Sequence, residues 1–154
     1  MSAFLIRERQ GAILTVTMNR PETRNAISDN DAIDALVACC DEANRDESIR
    51  VLVLTGAGAV FSSGGNVKAM RALAESDLHD LAAIRTSYRR GIQRLAHSFQ
   101  QLEVPAIAAI NGPAIGAGTD LACMCDIRIA ADGARFAESF ITLGLVPGDG
   151  GAWF

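Results

Sequence analysis

Residues 51–70 read VLVLTGAGAVFSSGGNVKAM. The run VLVLTG is apolar nearly throughout, which is typical of a strand covered on both faces. Four small residues, Ser62 to Gly65, follow the apolar run before NVKAM resumes in a helix-like pattern. Glycines at such a place either make a loose loop or let the backbone approach another group closely. The remainder of the chain distinguishes these two interpretations.

A second loop of the same kind follows another strand, in AAINGPAIGAGTD at residues 108–120. A strand that ends in small residues before a helix presents unpaired backbone N–H groups and the positive end of a helix dipole. Two such sets of donors converging on one point would bind a developing oxyanion. The pair of loops therefore predicts an anion site built from the backbone.

A nucleotide site is the alternative interpretation of these glycines. The stretch GAGAVF around Gly56 and Gly58 lacks the third glycine of a dinucleotide loop, and no helix starts directly after it. The chain also contains no GxxxxGK[ST] sequence. Both observations disfavour a nucleotide-binding loop.

Strand and helix patterns alternate along the whole chain. The pattern predicts strands in a hairpin at 3–9 and 12–18 and in IRVLVLTG, PAIAAING and DIRIAA, with another short strand in ARFAESF. It predicts helices from Ser28 or Asp29 to the charged stretch DEANRDES, at 66–73, at about 77–102 and at 116–125. The fold class is therefore α/β, and residues 1–154 have the size of one domain.

Composition excludes several classes of partner. A net charge of −4 and a pI near 5.1 disfavour nucleic acid, which calls for a basic face. The longest apolar stretch, from Val104, is interrupted by Asn111, Gly112 and Pro113, so it predicts no regular membrane helix. The N-terminus has no signal layout. A soluble, cytoplasmic protein is expected, with neither nucleic acid nor membrane as partner.

The cysteines occur as Cys39-Cys40 and as Cys123 and Cys125, each pair in an apolar context. Neither pair has metal-clip spacing, and the two histidines, at 79 and 97, lie far from both pairs in sequence. Buried, reduced thiols of a cytosolic protein are the preferred interpretation, and no metal site is predicted.

Carboxylates are the acid–base candidates, because no histidine lies near either glycine-rich loop. Asp120 ends the second loop, Glu138 lies in ARFAESF and Asp149 lies in VPGDGG. Each also has a structural explanation, as a helix-start cap, a surface charge and a turn former respectively, which is favoured for any one of them alone. No serine occupies a nucleophile-elbow pattern, and the Ser62-Ser63 pair has no basic partner nearby.

The ordered motifs NRPETRNAIS, VLVLTGAGAVFSSGGNVKAM, PAIAAINGPAIGAGTDLACMCDIRIA and ARFAESFITLGLVPGDGG resemble the enoyl-CoA hydratase/isomerase (crotonase) superfamily over essentially all 154 residues. The resemblance implies a crotonase-like spiral of ββα units that binds an acyl-CoA thioester. It also implies two backbone N–H groups that polarise the thioester carbonyl and stabilise an enolate. By motif position these donors are Gly65 and Ala117, where many relatives have glycine at the second position.

The resemblance also supplies a CoA groove. The positions that it assigns to this groove are Arg24, Ala26, Ser63, Gly64, Asn66 and Lys68. Among them, Arg24 and Lys68 are the expected partners of the CoA phosphates. The CoA thioester is the substrate, and no separate cofactor is expected.

The acid–base positions depart from the family pattern. Asp120 stands where a typical hydratase has its first glutamate, and Phe140 stands where it has the second. Some isomerase-type relatives carry an acid directly after the proline of the LVP motif; here that position is Gly148, and the acid follows at Asp149. The glycine neighbours can absorb a shift of one residue, so Asp149 is a further candidate base.

Two functions remain open from these residues. Enolate chemistry needs one placed carboxylate, whereas hydration usually uses two, so a double-bond isomerase fits better than a hydratase. Hydration is retained if Asp120 and Asp149 flank one water. The alternative is a non-catalytic acyl-CoA-binding relative that has lost the usual glutamates. The resemblance further implies homotrimers or hexamers, and C-terminal helices that follow PGDGG; a chain truncated before them is expected.

Overall fold

The computed structural model describes residues 3–75 and 80–154. The strands are β1 (Leu5–Gln10), β2 (Ile13–Met18), β3 (Val51–Gly56), β4 (Ala106–Ile110), β5 (Ala114–Ile115), β6 (Ile127–Ala130) and β7 (Phe136–Ala137). The α-helices are α1 (Asn30–Arg45), α2 (Val67–Ala74), α3 (Leu81–Arg90), α4 (Gln93–Gln100) and α5 (Ala117–Met124). Single 3-10 turns lie at Pro21–Thr23 and Ile141–Leu143. The predicted α/β class is confirmed.

The main sheet has the strand order β1-β2-β3-β4-β6. Only the hairpin β1–β2 is antiparallel; β2, β3, β4 and β6 run parallel to their neighbours. The register pairs Leu52 with Ala106 and Ile107 with Ile127. Because these strands are parallel, the loops that leave β3, β4 and β6 emerge at one edge of the sheet.

A second, smaller sheet lies beyond that edge. β5 pairs in parallel with β7, and Ser62 forms a single bridge to Ala114 of β5. The strands β3, β4 and β6 thus each lead into a short segment of the second sheet. After the first two of these segments the chain continues into a helix, α2 or α5. This repetition is the expected crotonase-like spiral of ββα units.

The core lies between the main sheet and the helices α1, α4 and α5. Alternate residues of β2 and β3 are buried, as are Ile33 and Leu36 on α1. The Asp29 Oδ1 atom accepts a hydrogen bond of 2.8 Å from Ala32 N, which caps α1 as predicted. Cys39 and Cys40 are buried and free, as their apolar context predicts.

The prediction of one helix over 77–102 is wrong in its continuity. Residues 77–79 lie outside the described part of the chain, and the remainder is divided into α3 and α4 at Gly91. Gly91 has φ −108° and ψ −118°, and a Cβ there would lie 2.8 Å from Ser87 O. On either side of the break, α3 has no buried residue, while Leu95 and Phe99 of α4 enter the core.

Within residues 3–75 and 80–154, no helix is both long enough and apolar enough to cross a membrane.

Candidate active site

The loops that follow β3 and β4 run side by side. The amides of Phe61 and Ser62 both donate to Pro113 O, at 3.0 and 3.2 Å, and Ile115 N donates to Ser62 O at 3.0 Å. Ser62 is fully buried, and its Oγ atom donates to Asn25 O at 2.8 Å. These bonds fix the first glycine-rich loop against the second.

Gly64 is the point of closest approach between the two loops. Its φ is +71°, a conformation that residues with a Cβ rarely adopt. A Cβ at Gly64 would clash with Ile115 O and lie 2.9 Å from Ala117 N. The glycine at this position therefore serves close approach, and the loose-loop interpretation of FSSGGN is wrong.

Two amides beside this contact have no acceptor. Within the described parts of the chain, the N–H groups of Gly65 and Ala117 form no hydrogen bond. Both residues line one cavity of about 550 Å³. Three neighbouring amides are occupied: Gly64 N donates to Ser62 Oγ, Asn66 N donates to Ser28 Oγ, and Gly116 N donates to Ala137 O. Ala117 is also the first residue of α5, so the positive end of that helix adds to the field there.

Three carboxylates meet next to this cavity. Asp120 lies in the first turn of α5, Glu138 directly follows β7, and Asp149 lies in the turn at 147–151. Asp120 is 5% exposed and Asp149 is 4% exposed, whereas Glu138 is an exposed residue. One oxygen of each buried carboxylate, Asp120 Oδ2 and Asp149 Oδ1, has no hydrogen-bond partner among the described residues.

The environment of Asp120 favours its protonated form. Burial raises the pKa of Asp120 to about 8, and the adjacent carboxyl of Asp149 and then that of Glu138 add to the rise. The N-terminus of α5 opposes this by about 0.3–1 kcal/mol, which is less than one pKa unit. Burial and like charge therefore outweigh the helix terminus, and the pKa of Asp120 lies well above its ordinary value. Burial also raises the pKa of Glu138, with a further rise from the charge of Asp149 and a partial offset from a hydrogen bond with Asp120.

The turn that carries Asp149 is seated against two helices. Gln93 Nε2 of α4 donates to Gly148 O at 2.7 Å. On the other side, a Cβ at Gly151 would clash with the carboxylate of Asp120 on α5. A side chain at Gly151 would therefore push the turn away from α5. Of the three carboxylates, Asp149 alone lines the cavity; Asp120 and Glu138 are not part of its wall.

The rest of the cavity wall is mainly apolar. It is formed by α2, by α3 and by the segment at 139–146, whose apolar contributions include Met70, Ile84, Tyr88, Ile92, Phe140, Leu143, Leu145 and Val146. Phe140, at the position where the family resemblance places a second glutamate, thus forms part of this wall. Asp149 thus faces a mainly apolar space next to the two free amides, and the other polar side chains of the wall are uncharged: Ser28, Asn30, Ser63, Ser87, Tyr88 and Ser139.

The residues expected in the CoA groove lie along the first loop. Ser63 N donates to Arg24 O at 2.9 Å, and Ile27 N donates to Gly64 O at 3.0 Å, so the segment that contains Ala26 runs beside Ser63 and Gly64. The Asn66 Oδ1 atom accepts a bond of 3.2 Å from Ala69 N and thereby caps α2. Arg24 and Lys68 are exposed and form no ion pair with any described residue.

Asn25 is a site-forming residue that the sequence analysis missed. It is fully buried with φ +54°, and its Nδ2 atom donates to Ala57 O and Val60 O, at 3.0 and 2.8 Å. Its Oδ1 atom accepts from Arg20 N at 3.0 Å. Asn25 thus ties the loop at 19–28 to the loop after β3. The available signal was an asparagine in a turn-rich stretch, since asparagine tolerates the left-handed conformation and bonds to nearby backbone.

Comparison with known proteins gives one consistent family. The family profile for enoyl-CoA hydratase/isomerase matches residues 8–154. The chain is 38% identical to the 1,2-epoxyphenylacetyl-CoA isomerase of Escherichia coli K12 over 99% of its own length and 57% of that protein. It is 41% identical to the 2,3-dehydroadipyl-CoA hydratase of the same organism, over 96% of its own length and 54% of that protein.

Solved structures agree with the sequence relatives. The crystal structure of an enoyl-CoA hydratase/isomerase from Mycobacterium paratuberculosis superposes with a TM-score of 0.83 at 30% identity. That match covers 98% of this chain and 58% of the other. The chain thus spans somewhat more than half the length of these relatives and shares their fold over that part. It belongs to the enoyl-CoA hydratase/isomerase family.

Proposed function

We propose that the protein processes acyl-CoA thioesters through an enolate intermediate. The observation that carries this proposal is the position of two unpaired amides, at Gly65 and Ala117, on the same cavity as the buried carboxylate of Asp149. The amides would accept the thioester oxygen, where negative charge develops when a proton leaves the α-carbon. The names of the two Escherichia coli relatives, an isomerase and a hydratase of CoA esters, support the same substrate class.

Asp149 is the proposed base, because it alone of the three carboxylates lines the cavity. In a double-bond shift, Asp149 takes an α-proton from a 3-enoyl-CoA, and the electron pair moves through the carbonyl onto the oxygen bound by Gly65 and Ala117. The protonated Asp149 then returns the proton to the γ-carbon, which yields the 2-enoyl-CoA. The step is balanced in atoms and electrons and needs no cofactor besides the CoA thioester itself.

The residues that line the cavity favour isomerisation over hydration. Hydration of a 2-enoyl-CoA uses two carboxylates that hold and activate one water, and here a single carboxylate reaches the cavity. Phe140 lies on the apolar wall in place of a second acid. Isomerase chemistry is therefore the first proposal, and hydratase chemistry is the second.

Deuterium exchange tests the proposal. The protein is incubated in deuterated buffer with a 3-enoyl-CoA, a 2-enoyl-CoA and a saturated acyl-CoA, and the products are analysed by mass spectrometry and NMR. Enolate chemistry labels the α-position, and isomerase activity also moves the double bond. Formation of 3-hydroxyacyl-CoA would favour the hydratase. Binding of acyl-CoA without exchange or turnover would instead support the non-catalytic binding protein, for which Phe140 is the motivating residue.

The CoA groove is proposed at Arg24, Ala26, Ser63, Gly64, Asn66 and Lys68. The two exposed cations without ion-pair partners, Arg24 and Lys68, are suited to phosphate groups. Charge reversal at both positions should weaken binding of CoA in a calorimetric titration and should affect KM more than kcat. Equal effects on both constants would argue against a role limited to binding.

We also propose that the protein forms oligomers in the cytoplasm. The exposed apolar side chains of the sheet edge, among them Ile127, Ile129 and Phe136, favour association into the homotrimer or hexamer that the resemblance implies. Sedimentation velocity tests this, and a monomer at micromolar concentration would contradict it.

The four free cysteines favour a reducing compartment, so we propose the cytoplasm, which cell fractionation can check.

A further inference from the structure

Asp120 and Asp149 are two buried carboxyl groups that lack a hydrogen-bond donor. Each carboxylate has one buried oxygen without a partner, Asp120 Oδ2 and Asp149 Oδ1. The carboxyl of Asp149 neighbours that of Asp120, and a Cβ at Gly151, two residues after Asp149, would clash with the Asp120 carboxylate. Two ionised carboxylates can only accept hydrogen bonds, so they leave both oxygens unsatisfied. A single proton between the two groups would supply the missing donor.

The surroundings decide which member of the pair keeps that proton. Asp149 lines the cavity, whereas Asp120 is not part of its wall and lies packed against Gly151 and beside Glu138. The groups that face Asp120 are thus the carboxyls of Asp149 and Glu138. The element packed on the other side of the turn is α4, which contributes the uncharged Gln93 and Ala96. No cation among these neighbours stabilises an ionised Asp120.

We propose that Asp120 is a neutral positioning residue, not the base, and that it donates a hydrogen bond to Asp149 and orients that carboxyl toward the cavity. This inference rests on the proposed function, because it assigns the partner of the proposed base. It makes Asp120 a side chain that must donate a hydrogen bond and need never take a proton from the substrate. Asparagine can fill that role through its amide, and leucine cannot.

Two substitutions at Asp120 test the proposal, one that can still donate a hydrogen bond and one that cannot. Asp120→Asn should retain kcat for exchange with a 3-enoyl-CoA to within about tenfold, because its amide still donates. Asp120→Leu should lose about 10- to 100-fold, the range expected when a charge-assisted hydrogen bond is removed. The activity of the unsubstituted protein should fall above pH 8, where Asp120 ionises, and this alkaline loss should disappear in Asp120→Asn. A loss in Asp120→Asn as deep as in Asp120→Leu would overturn the proposal, since Asp120 would then be the base.

A spectroscopic measurement separates this inference from the proposed function, because it needs no substrate. The infrared spectrum of the ligand-free protein at neutral pH should contain the C=O band of a protonated carboxyl. That band should vanish in Asp120→Asn and persist in the matched variant Glu138→Gln. If the band vanishes only in Glu138→Gln, or is absent from the unsubstituted protein, the proposal fails whether or not the protein turns over an acyl-CoA. If the band behaves as expected and no thioester exchanges, the proposed function fails alone.

Discussion

At the scale of single residues, the site is decided by the environment of Asp149. Its turn is fixed by Gln93 on one side and by the absence of a side chain at Gly151 on the other. The carboxylate is nearly inaccessible from outside the protein, yet it lies on the wall of the cavity. Asp149 therefore faces the same space as the free amides of Gly65 and Ala117.

Replacement of Asp149 by asparagine should remove the base and preserve the shape of the site. We expect Asp149→Asn to lower kcat for deuterium exchange by about 10²- to 10⁴-fold, the contribution of a positioned general base. Rapid-quench kinetics with a 3-enoyl-CoA measures this. Asp132→Asn, at an exposed turn position away from the cavity lining, is the matched control and should leave kcat unchanged. Equal rates in Asp149→Asn and the control would exclude Asp149 as the base.

The raised pKa of Asp120 also makes the folded state sensitive to pH. The unfolded chain releases this proton near about pH 4, whereas the folded protein keeps it up to about pH 8. Unfolding therefore releases a proton in this window, and stability falls as pH rises through it. Differential scanning calorimetry should show a steeper fall in Tm for the unsubstituted protein than for Asp120→Asn. Glu138 is present in both proteins, so the difference isolates Asp120; parallel curves would contradict the assignment.

At the scale of elements, the contact between the two glycine-rich loops positions the amides. Hydrogen bonds between residues 61–62 and 113–115 align the loops, and Gly64 lets them touch. Asn25 holds the same loop from the opposite side through its buried amide. The amides of Gly65 and Ala117 are thus positioned by backbone geometry, without any side chain between them.

Gly64→Ala tests this contact. The left-handed backbone and the clash with Ile115 O together should cost about 2–5 kcal/mol of unfolding free energy. Urea denaturation followed by circular dichroism measures the change. Gly133→Ala is the control, since a Cβ there would meet nothing within 4 Å, and its effect should stay within about 0.5 kcal/mol. If the two variants unfold alike, the close approach of the loops is not a source of stability.

At the scale of the whole molecule, the reactivity of the cysteines measures whether the core is folded. Cys39, Cys40 and Cys125 are buried, and burial raises the pKa of Cys39 to about 11 and that of Cys125 to about 12. Since the thiolate is the reactive form, a folded protein should be modified by a thiol reagent at Cys123 alone, which is half-buried.

Mass spectrometry after labelling should therefore find one adduct on the native protein and four after unfolding in guanidinium. Cys123→Ser should show no adduct in the native state. Rapid labelling of Cys39 or Cys40 without denaturant would indicate that α1 is not packed as described.

Local patterns predicted the elements and the first half of the site. A few adjacent residues were enough to predict the apolar strand β3, the helix α1 and the two glycine-rich loops. The meeting of Asp120, Glu138 and Asp149 could not be derived in that way. These residues come from three different elements, and each has an adequate local explanation. The proton that we propose for Asp120 depends on burial and on tertiary contact, which no short window of sequence contains.

The local sequence pattern did not predict the helix break at Gly91 or the buried position of Asn25. Gly91 lies inside a continuous helical pattern, and its backbone is packed so closely that a Cβ there would lie 2.8 Å from Ser87 O and 3.9 Å from Ile33 Cδ1. Asn25 lies in a stretch rich in turn residues, where nothing local distinguishes a buried asparagine from an exposed one. Both residues act through contacts that are distant in sequence or fixed by packing.

The two halves of the site differ in what a mutation can change. The half that we propose to receive the oxygen consists of main-chain N–H groups. These groups remain whatever side chain stands at positions 65 and 117, provided that the two loops stay in contact. The half that we propose to move the proton consists of the segment 147–151, which carries Asp149, and the neighbouring carboxyl of Asp120. Exchanging that turn alone should therefore redirect the scaffold from one thioester reaction to another, which makes residues 147–151 the natural segment for redesign.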